Sequence, residues 1–186
     1  ASNAIMDWEH LQKRMKQLLE GYKDRKCSVY LLHGDLTAGQ MTGLYQNEKI
    51  KGMINIAHGE GFGLPMFEAA QNGLPVMTIG WSGQMDYLVQ DNKEMFIKVD
   101  HVMKAIDANA VWDQVLQADS QWAHAEQGSF KMSLRKVKKS WKKFKKQATE
   151  LQTIVNNKYT EEIMYKQFCK AVLSSTTSET DSEIVL

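Results

Sequence analysis

A chain of 186 residues is long enough for one domain with its own hydrophobic core and too short for two of ordinary size. Hydrophobic residues at 43% and charged residues at 24% exclude disordered, collagen-like and low-complexity chains. A formal net charge of +1 sets up no global field toward nucleic acid, so none is expected as a partner; two cysteines, no secretory apolar segment and no apolar run long enough to span a bilayer point to a reducing, cytoplasmic setting.

In chain order, residues 1–4 read as a scar of tag removal. Trp8, Leu11, Met15, Leu18 and Tyr22 recur at spacings of three and four, which predicts an amphipathic helix from about Asp7 to Leu19, stopped by Gly21. Cys27 to Leu32 is a short apolar run closed by His33-Gly34-Asp35 and reads as a buried strand. Thr37 and Gln40 form a capping box that opens a helix through Leu44 and Tyr45. A strand is expected over Met53–Ala57 and a helix over Pro65–Gln71, with Gly73 past its end and Pro75 blocking continuation. Strands at Leu74–Ile79 and Met95–Val99 flank a short helix near Met85–Val89.

Strand and helix alternate four times without a hairpin signal, the pattern of a parallel α/β sheet, so residues 5–130 are expected to form a Rossmann-like domain. Only helices are expected after Asp100. Residues 131–173 read as a helical C-terminal extension packed on the domain: Val137, Trp141, Phe144, Ala148, Leu151 and Val155 make one long stripe, and a further helix spans about Thr160 to Val172. Residues 174–186 read as an unordered polar tail.

The informative stretch runs from Met53 to Tyr87. After the strand ending at Ala57 come Gly59, Gly61 and Gly63, then Pro65 in the first helical turn. In an open α/β sheet such a loop lies at the carboxyl end of a strand, where ligands bind, and the following helix N-terminus favours a phosphate or a sugar hydroxyl. Glu60 and Glu68, seven residues intervening, supply carboxylate acceptors for a polyol. The plain structural alternative is a tight βα turn with Glu60 serving as a helix N-terminal charge. His33 and His58 each end a strand beside this region, and Cys27 reads as core.

EGFGLPMFEAAQNGLPV resembles the donor-site signature of retaining glycosyltransferases of GT-B fold, the large family numbered four. Glu60 and Glu68 match its two glutamates, Gly61 to Pro65 match the loop between them, and Gly73 and Pro75 match the G-x-P-V that follows. Gly83 and Asp86 correspond to the family's G-G-x-x-E, with Asp for Glu, while Ala57 replaces a usual Ser. The resemblance implies that Glu68 binds the ribose hydroxyls of a nucleotide diphosphate sugar, and that Glu60, as the catalytic-site carboxylate, faces the donor sugar with the amides of Phe62, Gly63 and Leu64. Gly61 would complete this loop, and the loop after Gly34 would line the base. It further implies transfer of a hexose-type sugar with retention, without a cofactor; no Asp-x-Asp motif is present, so no metal is expected.

The family carries its acceptor site on a separate N-terminal domain and an Arg and a Lys that neutralise the diphosphate. The chain is expected to be the donor half alone, inactive in transfer by itself; Lys13, Arg14 and Lys16 on the first helix are not assigned that neutralising role. Two rival readings are a non-catalytic nucleotide-binding module and a related GT-B enzyme such as a sugar-nucleotide epimerase or phosphorylase. The Lys131–Lys146 segment is a basic amphipath, read first as a solvated face and second as a peripheral contact with the inner, anionic membrane face. Met164, Phe168 and Val172 on the last helix are expected to expose apolar surface through which the chain self-associates.

Overall fold

The computed structural model describes residues 2–176. The chain divides into two compact units, Ala1–Met41 and Thr42–Leu186.

In the first unit, helix α1 (Ser2–Glu20) carries the expected three-four periodicity and stops before Gly21, where the Tyr22 N–H returns to the Leu19 carbonyl at 3.1 Å. Trp8 lies 5.4 Å from the ring of His33. Cys27–Leu32, expected as a buried strand, is not one: it joins no ladder, and Tyr30 and Leu32 are largely exposed, as is Cys27. A strand is stable only through the hydrogen bonds of a neighbour, and among the described residues this run has none. The capping box forms as expected, with the Thr37 N–H on Gln40 Oε1 at 2.8 Å and the Gln40 N–H on Thr37 Oγ1 at 3.3 Å, at the start of α2 (Ala38–Gln46).

The second unit is mixed α/β around a three-stranded parallel sheet, where four strands were expected. Its strands are β1 (Met53–Asn55), β2 (Val76–Ile79) and, later in the chain, β5 (Ile97–Val99), in the order β1-β2-β5. Met53 pairs with Val76, and Met77 with Ile97. Every residue of β2 is buried, as a central parallel strand covered on both faces requires. Helix α3 (Leu64–Gln71) connects β1 to β2. It ends in a Schellman motif: the Leu74 N–H reaches the Ala69 carbonyl at 2.9 Å, the Gly73 N–H reaches that of Ala70 at 3.0 Å, and Gly73 takes a φ of 65°.

After the short α4 (Met85–Leu88) come two antiparallel hairpins that the sequence pattern did not announce. The first joins β3 (Val89–Gln90) to β4 (Lys93–Glu94) through Asp91 and Asn92, both at positive φ, 48° and 60°. The second pairs β6 (His101–Ala105) with β7 (Gln121–Ala125), correcting the expectation of helices only after Asp100. The first ribbon is two strands of two residues each, and in the second the apolar Val102 and Met103 stand side by side in β6, so neither shows the apolar alternation by which a half-buried strand is read.

Helix α5 (Gln127–Lys158) begins before the segment expected of it and bends at Ser140, whose φ of −125° is not helical. Its stripe is buried at Phe144, Ala148, Leu151 and Val155, and Phe144 joins Met77, Ile79, Ile97, Val99 and Ala123 in the core. One turn apart, Ser129 and Ser133 cap the free edge of β5: Ser129 Oγ accepts from the Asp100 N–H at 2.9 Å and Ser133 Oγ donates to the Lys98 carbonyl at 2.8 Å. Helix α6 (Glu161–Thr176) is amphipathic and largely exposed. It takes in Ser174 to Thr176 of the expected tail; the remainder of that tail lies outside the described residues. No helix among the described residues is long and apolar enough to cross a membrane.

Candidate functional site

The site is built at the junction from β1 to α3. Gly63 caps α3 at φ 79°, ψ 53°, a left-handed conformation, and its carbonyl accepts from the N–H groups of Met66 and Phe67, both at 3.0 Å. Any Cβ there would sit 2.7 Å from the Met66 methyl. Tyr87, fully buried on α4, donates its hydroxyl to the same carbonyl at 2.9 Å; burial, with the charge of Glu60 second, pushes its phenol well above the usual range. The loop therefore enters the helix along a fixed path.

A second set of contacts fastens the loop to the turn after β2. Ser82 Oγ donates to the Glu60 carbonyl at 2.7 Å and lies 3.1 Å from the Glu60 nitrogen, while the Gly83 N–H donates to the same carbonyl at 3.0 Å. A Cβ on Gly83 would run into the Gly61 carbonyl, which accounts for glycine at this point. Ser82 itself sits at φ 79°, in the place where the family pattern G-G-x-x-E carries its first glycine.

With the backbone so held, the N–H groups of Phe62, Gly63 and Leu64 make no hydrogen bond among the described residues. They stand at the positive end of α3, which is the arrangement that receives an anion or a hydroxyl oxygen. The Phe62 side chain turns away into an aromatic cluster, 5.0 Å from Phe67 and 5.1 Å from Tyr87, so this residue offers its amide rather than its ring. Tyr159, at the end of α5, packs edge-on against Phe67 at 5.3 Å and donates to the Asp86 carbonyl at 3.1 Å; burial, then the Asp86 charge, raises its phenol.

The two carboxylates are both half-buried and each has one internal partner. Glu60 Oε1 accepts from Asn55 Nδ2 at 2.8 Å, and Glu68 Oε2 accepts from the Tyr45 hydroxyl at 3.1 Å. The second oxygen of each has no hydrogen bond within the described residues. Burial first, then the bond to Glu68 and its charge, pushes the Tyr45 phenol up to about 12.

Glu60, Gly61, Phe62, Gly63 and Leu64 thus lie together on one loop and helix start, with Glu68 one turn further along α3. Gly34, at φ 120° in an irregular segment, belongs to the first unit. Sequence reasoning did not single out Asn55, Ser82, Tyr45 or Tyr87, whose roles depend on contacts between distant segments. Only Ser82 left a signal, its place beside Gly83 in the stretch that resembles the family pattern.

His58, in the same loop, bonds through Nδ1 to the Ala123 carbonyl at 2.9 Å and stacks on Trp122 at 4.9 Å. His124 lies 4.3 Å from it, with Nε2 buried and unpaired among the described residues; burial, then the charges of His58 and Lys104, lowers its pKa. Among the described residues no group of three or more His, Cys, Asp or Glu gathers to hold a metal ion. Comparison of the chain with protein-family models, with curated proteins and with solved structures returned no match.

Proposed function

We propose that this chain is the nucleotide-sugar-binding half of a retaining glycosyltransferase of GT-B type, its parallel sheet being the sheet of a Rossmann-like domain. The observation that carries the reading is the set of three amides at the start of α3 that are unpaired among the described residues, flanked by two carboxylates that each keep one oxygen without a partner among them. A nucleotide diphosphate sugar complements this set: phosphate or sugar oxygens accept from the amides of Phe62, Gly63 and Leu64, and ribose hydroxyls donate to Glu68. Glu60 is then placed beside the sugar, its main chain anchored by Ser82 and its carboxylate steadied by Asn55.

In the proposed reaction the bond between the anomeric carbon and the diphosphate breaks, the diphosphate leaves with the electron pair, and the oxygen of an acceptor hydroxyl bonds to the same face of the sugar while its proton passes to the departing diphosphate. The acceptor comes from a second domain in the family this sequence resembles, so the chain alone is expected to bind donor without transferring it. The setting in this reading is cytoplasmic.

Titration of uridine diphosphate and its deoxyribose counterpart into the chain tests the donor site. Loss of one hydroxyl that donates to a carboxylate should weaken binding about 10-fold or more. Equal affinity for the two nucleotides would remove Glu68 from the ribose site.

A further inference from the structure

A cleft of about 480 Å³ lies between β4–β5 and α5, away from the α3 junction, and is within the size range of small-ligand sites. Five ammonium groups line it: Lys93 and Lys98 from the strands, and Lys136, Lys143 and Lys146 from α5. Two are neutralised internally. Lys98 pairs with Glu94 at 2.6 Å and Lys93 with Glu150 at 3.4 Å. Glu150 is the single carboxylate in the sequence of α5, and among the described residues Lys136, Lys143 and Lys146 have no carboxylate partner.

The bend at Ser140 separates Lys136 from Lys143 and Lys146, so the cleft takes lysines from both halves of the helix. Its floor includes Phe144 and Ile97, both buried in the core, which places the charges over low-dielectric protein. Unpaired like charges gathered in a concavity of this kind raise the local potential for an anion. Lysines act as point-charge ligands for phosphate, with no need of the planar geometry that arginine imposes.

We propose that this cleft is a second binding site, for a phosphate-bearing ligand, independent of the α3 junction. The phosphate belongs either to a free compound or to a lipid headgroup at an anionic membrane, and the two sources are separated by experiment.

The test is calorimetric titration of inorganic pyrophosphate into the full chain, with uridine diphosphate, whose own phosphates would also enter the cleft, titrated separately. Saturable binding is expected, weakened about 10-fold or more in Lys136→Gln/Lys143→Gln and less than about 2-fold in Lys138→Gln/Lys139→Gln, whose exposed lysines lie on α5 outside the cleft. Thermal unfolding of both variants checks that each is folded, and the single change Lys143→Gln should give an intermediate loss. Cosedimentation with phosphatidylcholine vesicles, with and without phosphatidylglycerol, follows. Binding that requires phosphatidylglycerol and the cleft lysines assigns the lipid headgroup; pyrophosphate binding without vesicle binding assigns a free phosphate compound. Equal losses in the two double variants, or no saturable binding of pyrophosphate, would overturn the site. Failure of uridine diphosphate to bind Lys136→Gln/Lys143→Gln would count against the donor reading alone and leave the pyrophosphate result to stand by itself.

Discussion

The hydroxyl of Tyr45 donates to Oε2 of Glu68 at 3.1 Å, so the carboxylate proposed for the ribose is oriented by a buried phenol near the end of α2. Tyr45→Phe should cost about 1 kcal/mol of stability in urea unfolding, the net worth of such a bond. The raised phenol also sets a pH window. The folded value lies above the unfolded 10.0, so the contribution is complete below pH 10 and is lost as pH rises through about 12. This alkaline loss should be absent from the unfolding profile of Tyr45→Phe.

Two loop glycines should behave differently on substitution. Gly63→Ala keeps the chain path but forces a side chain into the left-handed region against Met66, for about 1–2 kcal/mol of lost stability. Gly83→Ala collides with the Gly61 backbone, so the loop itself must shift. Nucleotide affinity should therefore fall further in Gly83→Ala than in Gly63→Ala, as read by calorimetry against chemical unfolding of the same variants.

Parallel strands β1, β2 and β5 were legible because each falls within a short apolar run of the sequence. The Thr37–Gln40 box and the Gly73 stop were legible because their chemistry is local. Where the outcome depended on a distant partner, the pattern was silent or misleading. Cys27–Leu32 is as apolar as a buried strand yet has no ladder among the described residues, and β6 is largely exposed, without apolar alternation, yet pairs with β7 from His101 to Ala105. Asp91 and Asn92 at positive φ make a hairpin turn, but the two-residue strands beside them show no alternation. The same division holds at the site: the glycines and glutamates stand in the motif, while Ser82, Asn55 and Tyr45 act through contacts that only folding brings about.

Acid should loosen the β6–β7 hairpin through His124. Its folded pKa lies below the unfolded value of 6.5, so neutral His124 stabilises the fold fully above that pH, and this contribution is lost as pH falls through the folded value. The melting temperature should drop as pH falls below about 6.5, and His124→Gln should show a shallower drop. A pH profile identical in the two proteins would remove His124 from the account.

Helix α6 shows Tyr165 at 62% and Phe168 at 67% exposure, apolar surface of the kind that pairs with a second copy. Sedimentation should show self-association that Phe168→Glu weakens. A monomer over the whole concentration range, in both proteins, would contradict it.

Calorimetric titration of uridine and guanosine diphosphates into the wild-type chain and Glu68→Gln tests the donor-site reading most directly. Gln keeps the shape of Glu, and its carbonyl oxygen can still accept from Tyr45, but it removes the charge and turns half the group into a donor. If Glu68 accepts from the ribose, the dissociation constant of the bound nucleotide should rise about 10 to 100-fold, the equivalent of about 1.5–3 kcal/mol for a hydrogen bond to a charged group. Equal affinities in the two proteins, with only a small change in stability, would reduce Glu68 to a structural partner of Tyr45 and contradict the donor site.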